Sequence, residues 1–121
     1  MLTRSISQTI RRYSSSPAVL RPAPVLLEKD IKEKHLADLA TSGWKPVEGR
    51  DAIQKVYMFE DFAHAFGFMA KCAIRADKCD HHPEWFNVYN KVDVTLSTHD
   101  CGGLSQLDID MAKTMDRFAT Y

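Results

Sequence analysis

The sequence predicts an α+β domain: a four-stranded antiparallel sheet with three helices packed on one face, in the order α-β-β-α-β-β-α. Three observations carry this. Apolar residues recur at helical spacing in three stretches, 28–43, 61–78 and 105–119. Between them lie two pairs of short segments rich in aromatic and β-branched residues, each pair joined by a short loop. A chain of 121 residues, 45% hydrophobic and 26% charged, suits one globular domain.

The first helix is expected over 28–43, with Asp30 as its cap, Leu27, Ile31, Leu36, Leu39 and Ala40 as its stripe, and Gly43 as its stop. Trp44 to Val47 reads as a short strand, placed at an edge by Pro46. Glu48-Gly49-Arg50-Asp51 is a turn. Ala52 to Phe59 is a strand with Ile53, Tyr57 and Phe59 on one side and Val56 and Met58 on the other.

The long helix over 61–78 carries Phe62, Phe66, Met69, Ala73 and Ala76 as one stripe, widened by Phe68, Cys72 and Ile74. A helix apolar on more than one face has a second surface to cover, which predicts an oligomer contact. Asp77 stands where the helix dipole disfavours a carboxylate, close before a histidine pair.

Glu84–Val88 and Val92–Ser97 read as a hairpin. A three-residue loop, Tyr89-Asn90-Lys91, pairs Val88 with Val92 and Phe86 with Val94. That register gathers Phe86, Val88, Val92, Val94 and Leu96 on one face and Trp85, Asn87, Asp93, Thr95 and Ser97 on the other. It brings position 81 opposite position 99; with a shorter loop we expect 82 there. Pro83 cannot donate to a ladder and should end pairing. Cys101-Gly102-Gly103 is a turn, and Ser105-Gln-Leu-Asp108 is a variant capping box opening the last helix. That helix runs to about Ala119, with Leu104, Leu107, Met111, Met115 and Phe118 as its stripe.

Residues 1–27 form a separate unit. They hold Arg4, Arg11, Arg12 and Arg21, seven serines and threonines, and no acid. Since the chain is net neutral, the remainder carries −4. Leu2, Ile6, Ile10 and Tyr13 fall at helical spacing, and Arg11-Arg12-Tyr13-Ser14 resembles a matrix-protease cleavage context. This composition is that of a mitochondrial transit peptide; a cytoplasmic protein with a plain tail is the alternative. Pro17, Pro22 and Pro24 make an extended linker into the domain at 28–121.

Neutral net charge gives no global nucleic-acid footprint. No apolar run is long enough for a membrane span. The three cysteines show no C-x-x-C spacing, which argues against a disulfide framework or zinc ribbon.

Three of the five histidines cluster as His81, His82 and His99. Imidazole titrates nearest neutrality, so this is a candidate proton-transfer or metal site. Adjacent histidines on an extended segment point apart and lack H-E-x-x-H spacing, so no metal is expected. No nucleophile elbow and no phosphate loop are present. From spacing alone, the alternative of a helix-capping pair and a surface histidine stays open.

Asp80-His-His-Pro-Glu-Trp85, followed by Phe-Asn-Val-Tyr-Asn-Lys-Val and Thr95-Leu-Ser-Thr-His99, resembles the signature of the pterin-4a-carbinolamine dehydratase family. The resemblance covers about residues 30–119. It implies a hydro-lyase without metal or redox cofactor, the pterin being substrate: 4a-hydroxytetrahydrobiopterin loses water to give quinonoid dihydrobiopterin in tetrahydrobiopterin recycling. It further implies His81, His82 and His99 as catalytic residues, with His81 and His99 as acids and His82 as base. It implies Trp85 as a pocket residue and Asp77, where a Glu is typical, as an acid near the substrate. Asp108 falls on a further family acid, with its capping role an equal reading. Asp93 stands where some members have histidine. The family also implies a homo-oligomer, dimer or tetramer, and a second class of role: a non-catalytic dimerisation cofactor of a transcription factor, acting through the long apolar helix. No direct nucleic-acid or membrane contact is expected.

Overall fold

The computed structural model describes residues 21–120, so most of the leader expected over 1–27 lies outside the described residues. The elements follow the expected order: α1 (Lys29–Ala40), β1 (Lys45–Pro46), β2 (Ile53–Met58), α2 (Phe62–Cys79), β3 (Glu84–Val88), β4 (Lys91–Leu96), a 3-10 turn (His99–Cys101) and α3 (Gln106–Phe118). The sheet order is β1-β2-β4-β3, antiparallel throughout. No described helix is long and apolar enough to cross a membrane.

One core lies between the sheet and the three helices. Ile53, Tyr57, Val92, Val94 and Leu96 meet Leu39 of α1, Phe68 and Cys72 of α2, and Ile109 and Met115 of α3. Each large apolar side chain buried there contributes about 1.5–3 kcal/mol. Asp116 of α3 ties the layers together. Its carboxylate accepts from Trp44 Nε1 (3.1 Å), Lys55 Nζ (2.7 Å) and Tyr57 Oη (2.5 Å). Burial, then the neighbouring carboxylate, holds the Tyr57 phenol well above its usual range.

Several local expectations are corrected. The hairpin loop has two residues, not three: Val88 pairs with Lys91 and Trp85 with Val94. A one-residue slip exchanges the faces of β3. Trp85 and Asn87 therefore share the core side with Val92 and Val94, while Phe86 and Val88 are exposed. The tight loop is fixed by polar contacts. Tyr89 is left-handed (φ 49°), Asn87 Nδ2 donates to the carbonyls of Tyr89 and Lys91, and Asn90 Nδ2 donates to Phe59 O. Pairing stops at Glu84, after Pro83, and the observed offset would set position 80 opposite 99, rather than 81 or 82.

On α2 the buried residues are Ala65, Phe68, Cys72 and Ala76. Of the expected stripe, Phe62, Phe66 and Ala73 face outward with Ile74, while Ala76 is buried and Met69 packs partly buried against the core. Two apolar faces exist, but the sheet took the one with the smaller residues, which let the helix approach closely. At the start of α1 the cap position is Glu28, without a side-chain bond, and Asp30 sits in the first turn.

Candidate active site

Helix α2 ends where the site begins. Asp80 adopts the left-handed conformation (φ 50°, ψ 42°) at its C-terminal cap, and the His81 amide turns back to Ala76 O at 3.0 Å. Such a reversal usually takes glycine or asparagine. It drives His81 inward, where it is 6% exposed, and leaves His82 outside. The pair points apart, as expected for neighbours on non-helical backbone.

Under His81 lies a fully buried carboxylate. His81 Nε2 is 2.7 Å from Asp108 Oδ1. Asp108 Oδ2 accepts from the Thr98 hydroxyl (2.7 Å) and from the Ser105 amide (2.9 Å). The hydrogen-bond logic orders the protons. The Thr98 proton is committed to Asp108, so Ser105 Oγ donates to Thr98 Oγ1 at 2.7 Å while accepting from Leu107 N. The carboxylate accepts only, so His81 donates from Nε2 and its remaining ring nitrogen is Nδ1. The capping reading of Asp108 holds: one oxygen closes the capping box of α3, while the other meets His81, and the carboxylate lies beneath the cleft rather than among its lining residues.

His99 is placed by the loop after β4. Thr98 and Gly103 exchange backbone bonds (2.9 and 3.2 Å), closing the loop around the 3-10 turn. Gly103 is buried, and a Cβ there would run into the Asp51 carboxylate, which accepts the Leu104 amide at 3.1 Å. Asp51 also takes Lys32 Nζ at 3.3 Å, anchoring the loop to α1.

His81, His82 and His99 all line one open cleft of about 1350 Å³. Also lining it are Pro24, Val25 and Leu26 of the segment before α1, with Ile31 and Leu107. That segment is fixed by Leu27 N to Leu104 O (3.0 Å) and by Arg21, which donates to Lys78 O. Asp77 and Trp85 are placed elsewhere. They line a neighbouring hollow of about 490 Å³ with Ile74 and Pro83, and only His82 borders both spaces. Asp77 is exposed, and its Oδ1 stands 3.9 Å from His82 Nε2, too far for a hydrogen bond. Asp93 lies on the outward face of β4, paired with Val56 and Phe86.

The sequence reading paired Ser105 with Asp108 through the capping box but missed Thr98 as a further support of that carboxylate. No local pattern links Thr98 to a residue ten positions on. Among the described residues no three His, Cys, Asp or Glu groups are placed to hold a metal ion. What the arrangement offers is one imidazole braced by a buried carboxylate and two more at the same cleft. Such a set can give and take protons at adjacent atoms of a small ligand.

Comparison with known proteins points the same way. The family model for pterin 4 alpha carbinolamine dehydratase matches residues 25–118. A protein of Jannaschia sp. (strain CCS1) named "Putative pterin-4-alpha-carbinolamine dehydratase" is 56% identical over 93 residues, covering 77% of this chain and 95% of that one. A relative of the same name from Dinoroseobacter shibae is also 56% identical over 93 residues, covering 96% of its own length. Among solved structures, a transcriptional coactivator/pterin dehydratase from Brucella melitensis is 50% identical with a TM-score of 0.73, covering 77% of this chain and 97% of that chain. A pterin dehydratase-like RuBisCO assembly factor of the alpha-carboxysome is 20% identical with a TM-score of 0.56, covering 64% of this chain and 89% of its own; it shares the fold alone.

Proposed function

Because this chain belongs to the pterin-4a-carbinolamine dehydratase family, we propose that it eliminates water from a 4a-hydroxytetrahydropterin, giving the quinonoid dihydropterin by imidazole acid–base catalysis. The single observation that carries this reading is the shared cleft of His81, His82 and His99, with Asp108 buried against His81. In the reaction a base takes the N5 proton, the C4a–O bond breaks, a C4a=N5 bond forms, and an acid protonates the departing hydroxyl to water. No electron acceptor is required.

His81 serves the hydroxyl. The Asp108 carboxylate stabilises its imidazolium, and its Nδ1 is the nitrogen left to donate. His99, in the 3-10 turn after β4 and lining the same cleft, supplies a second acid. His82, the exposed member, takes the N5 proton. Trp85 and Asp77 act on the far side of His82, Trp85 as an apolar support and Asp77 as a weak electrostatic one across 3.9 Å. Each positioned acid or base contributes about 10²–10⁴-fold.

The test is turnover of a synthetic 4a-hydroxytetrahydropterin by the purified chain. His82→Ala should lower kcat by about 10²-fold or more. Activity should fade at acid pH, because a protonated imidazole cannot take the N5 proton. Unchanged turnover in His82→Ala would contradict the mechanism.

A second reading concerns assembly. Phe62, Phe66 and Ile74 of α2 are each at least half exposed, the two phenylalanine rings packing on each other with centroids 5.9 Å apart. That face suits a homo-oligomer, or a partner protein bound without catalysis. His82→Ala separates the roles, since it should stop dehydration and leave helix-mediated assembly intact. For the leader, the mitochondrion is the compartment we propose, on composition alone.

A further inference from the structure

We propose that the turn before β2 is a positioning unit for the reaction: Arg50 and Asp51 together fix how far His82 stands from His99, with Arg50 and Glu84 as positioning residues. This rests on the dehydratase reading, in which His82 is the base and His99 an acid.

The two histidines sit on different arms. His82 precedes Pro83 and Glu84, the first residue of β3. His99 follows β4 through Ser97 and Thr98. Pairing between β3 and β4 reaches only to Glu84 and Thr95. Beyond that pair the ladder stops, so it does not set the distance between the two imidazoles.

The turn ties the arms instead. It is closed by Val47 N to Ala52 O at 2.9 Å and leads into β2, on the opposite side of β4 from β3. Arg50 lies three residues before Ile53, which pairs with Leu96, while Glu84 pairs with Thr95. The guanidinium therefore reaches across the end of β4 to the Glu84 carboxylate. It donates twice, Nη1 to Oε1 at 3.2 Å and Nη2 to Oε2 at 2.8 Å. A two-point contact of this kind fixes direction as well as distance. The next residue holds the other arm. Asp51 O accepts from Ser97 Oγ at 2.9 Å, and Asp51 Oδ2 accepts from the Leu104 amide at 3.1 Å, one on either side of the 3-10 turn that carries His99.

Adjacent residues of one turn thus grip both arms. Pro83, with its fixed φ, passes the restraint from Glu84 towards His82. The Arg50 hydrogen bond holds the Glu84 carboxyl below its usual range, and the charge of His99 adds to the effect, so Glu84 stands near that ring as well. Arg50 and Glu84 are exposed, and an ion pair of that kind adds little to stability. Its consequence is geometric. Base and acid must flank N5 and the 4a-hydroxyl together, and a displacement of about 1 Å can cost about 10²-fold in rate.

The experiment compares wild-type protein with Glu84→Gln, Arg50→Met and the exchanged pair Arg50→Glu/Glu84→Arg. Turnover of a 4a-hydroxytetrahydropterin is measured, the ring signals of His82 and His99 are followed by NMR, and a urea midpoint checks the fold. We expect each single substitution to lower kcat by about 5–50-fold with KM within about twofold of wild type and the midpoint little changed. The ring signals of both histidines should move. The exchanged pair should recover most of the kcat and return the signals towards their wild-type positions, which a general loss of folding would not do. Unchanged kcat in both single variants, or a loss of kcat that follows a lowered midpoint, would overturn the positioning unit. Absence of turnover in wild type would overturn the dehydratase reading instead. The ring signals then decide alone: shifts that reverse in the exchanged pair keep the unit, and unmoved signals overturn it.

Discussion

Asp108 accepts from His81 Nε2 at 2.7 Å through one oxygen and from the Ser105 amide at 2.9 Å through the other. The carboxylate that starts a helix thus also sets the tautomer of an imidazole 27 positions earlier. Both oxygens are in use, and no buried side-chain polar atom among the described residues is left without a partner.

Asp108→Asn keeps an oxygen for the Ser105 amide but sets an amide against His81. The ring then loses its charge partner and is free to adopt the other tautomer. We expect kcat for dehydration to fall by about 10²–10⁴-fold with KM changed little, measured by single-turnover kinetics. A KM effect alone would assign Asp108 to substrate binding.

Asp80 holds a left-handed conformation that costs a residue with a Cβ about 1 kcal/mol. Asp80→Gly should therefore raise stability by about 0.5–1 kcal/mol, read as a higher urea midpoint. A lower midpoint would mean that the Asp80 side chain is itself supporting the turn.

Gly103→Ala should do the opposite. The new methyl displaces the Asp51 carboxylate from the Leu104 amide, beside the loop that carries His99. The expected loss is about 1–3 kcal/mol, measured by chemical denaturation.

The N-terminus of α2 carries a pH-dependent pair. Asp61 Oδ1 accepts from the His64 amide (2.8 Å) and lies 2.7 Å from His64 Nδ1. Hydrogen bonding to Asp61 raises the His64 pKa, and the same contacts lower that of Asp61. The His64 contribution is present in full below the ordinary imidazole range and is lost as pH rises through its raised value. That of Asp61 is present above the ordinary carboxylate range and is lost as pH falls through its lowered value. Both groups are exposed, so the effect is small and shrinks in salt. His64→Ala should lower the urea midpoint at pH 5.5 and leave it nearly unchanged at pH 9. Equal loss at both would point to packing rather than charge.

Burial pushes the Cys72 thiol up to about 12. Native protein at pH 8 should alkylate at Cys79 and Cys101, which are half-buried, before Cys72, as mapped by peptide mass. Early modification of Cys72 would indicate that α2 opens from the core.

The order of elements, the single core and the histidine cluster were legible because each rests on local pattern. Helical spacing, β-branched runs and a Ser-x-x-Asp box act within a few residues of themselves. The misread details depend on contacts between distant segments. The faces of β3 turned on a loop shortened by Asn90 bonding to Phe59, 31 positions away. The outward stripe of α2 was as apolar as the inward one, and only packing against the sheet and α3 decided between them.

By itself, the sequence determined which chemistry is present: three imidazoles, a turn that separates two of them, and a carboxylate at a helix start. Only the tertiary structure decided that His81 and Asp108 meet and that Asp77 and Trp85 stand on the far side of His82. Hydrogen bonds between remote groups depend on how whole elements dock, and docking is set by packing of the entire core rather than by any one stretch of chain.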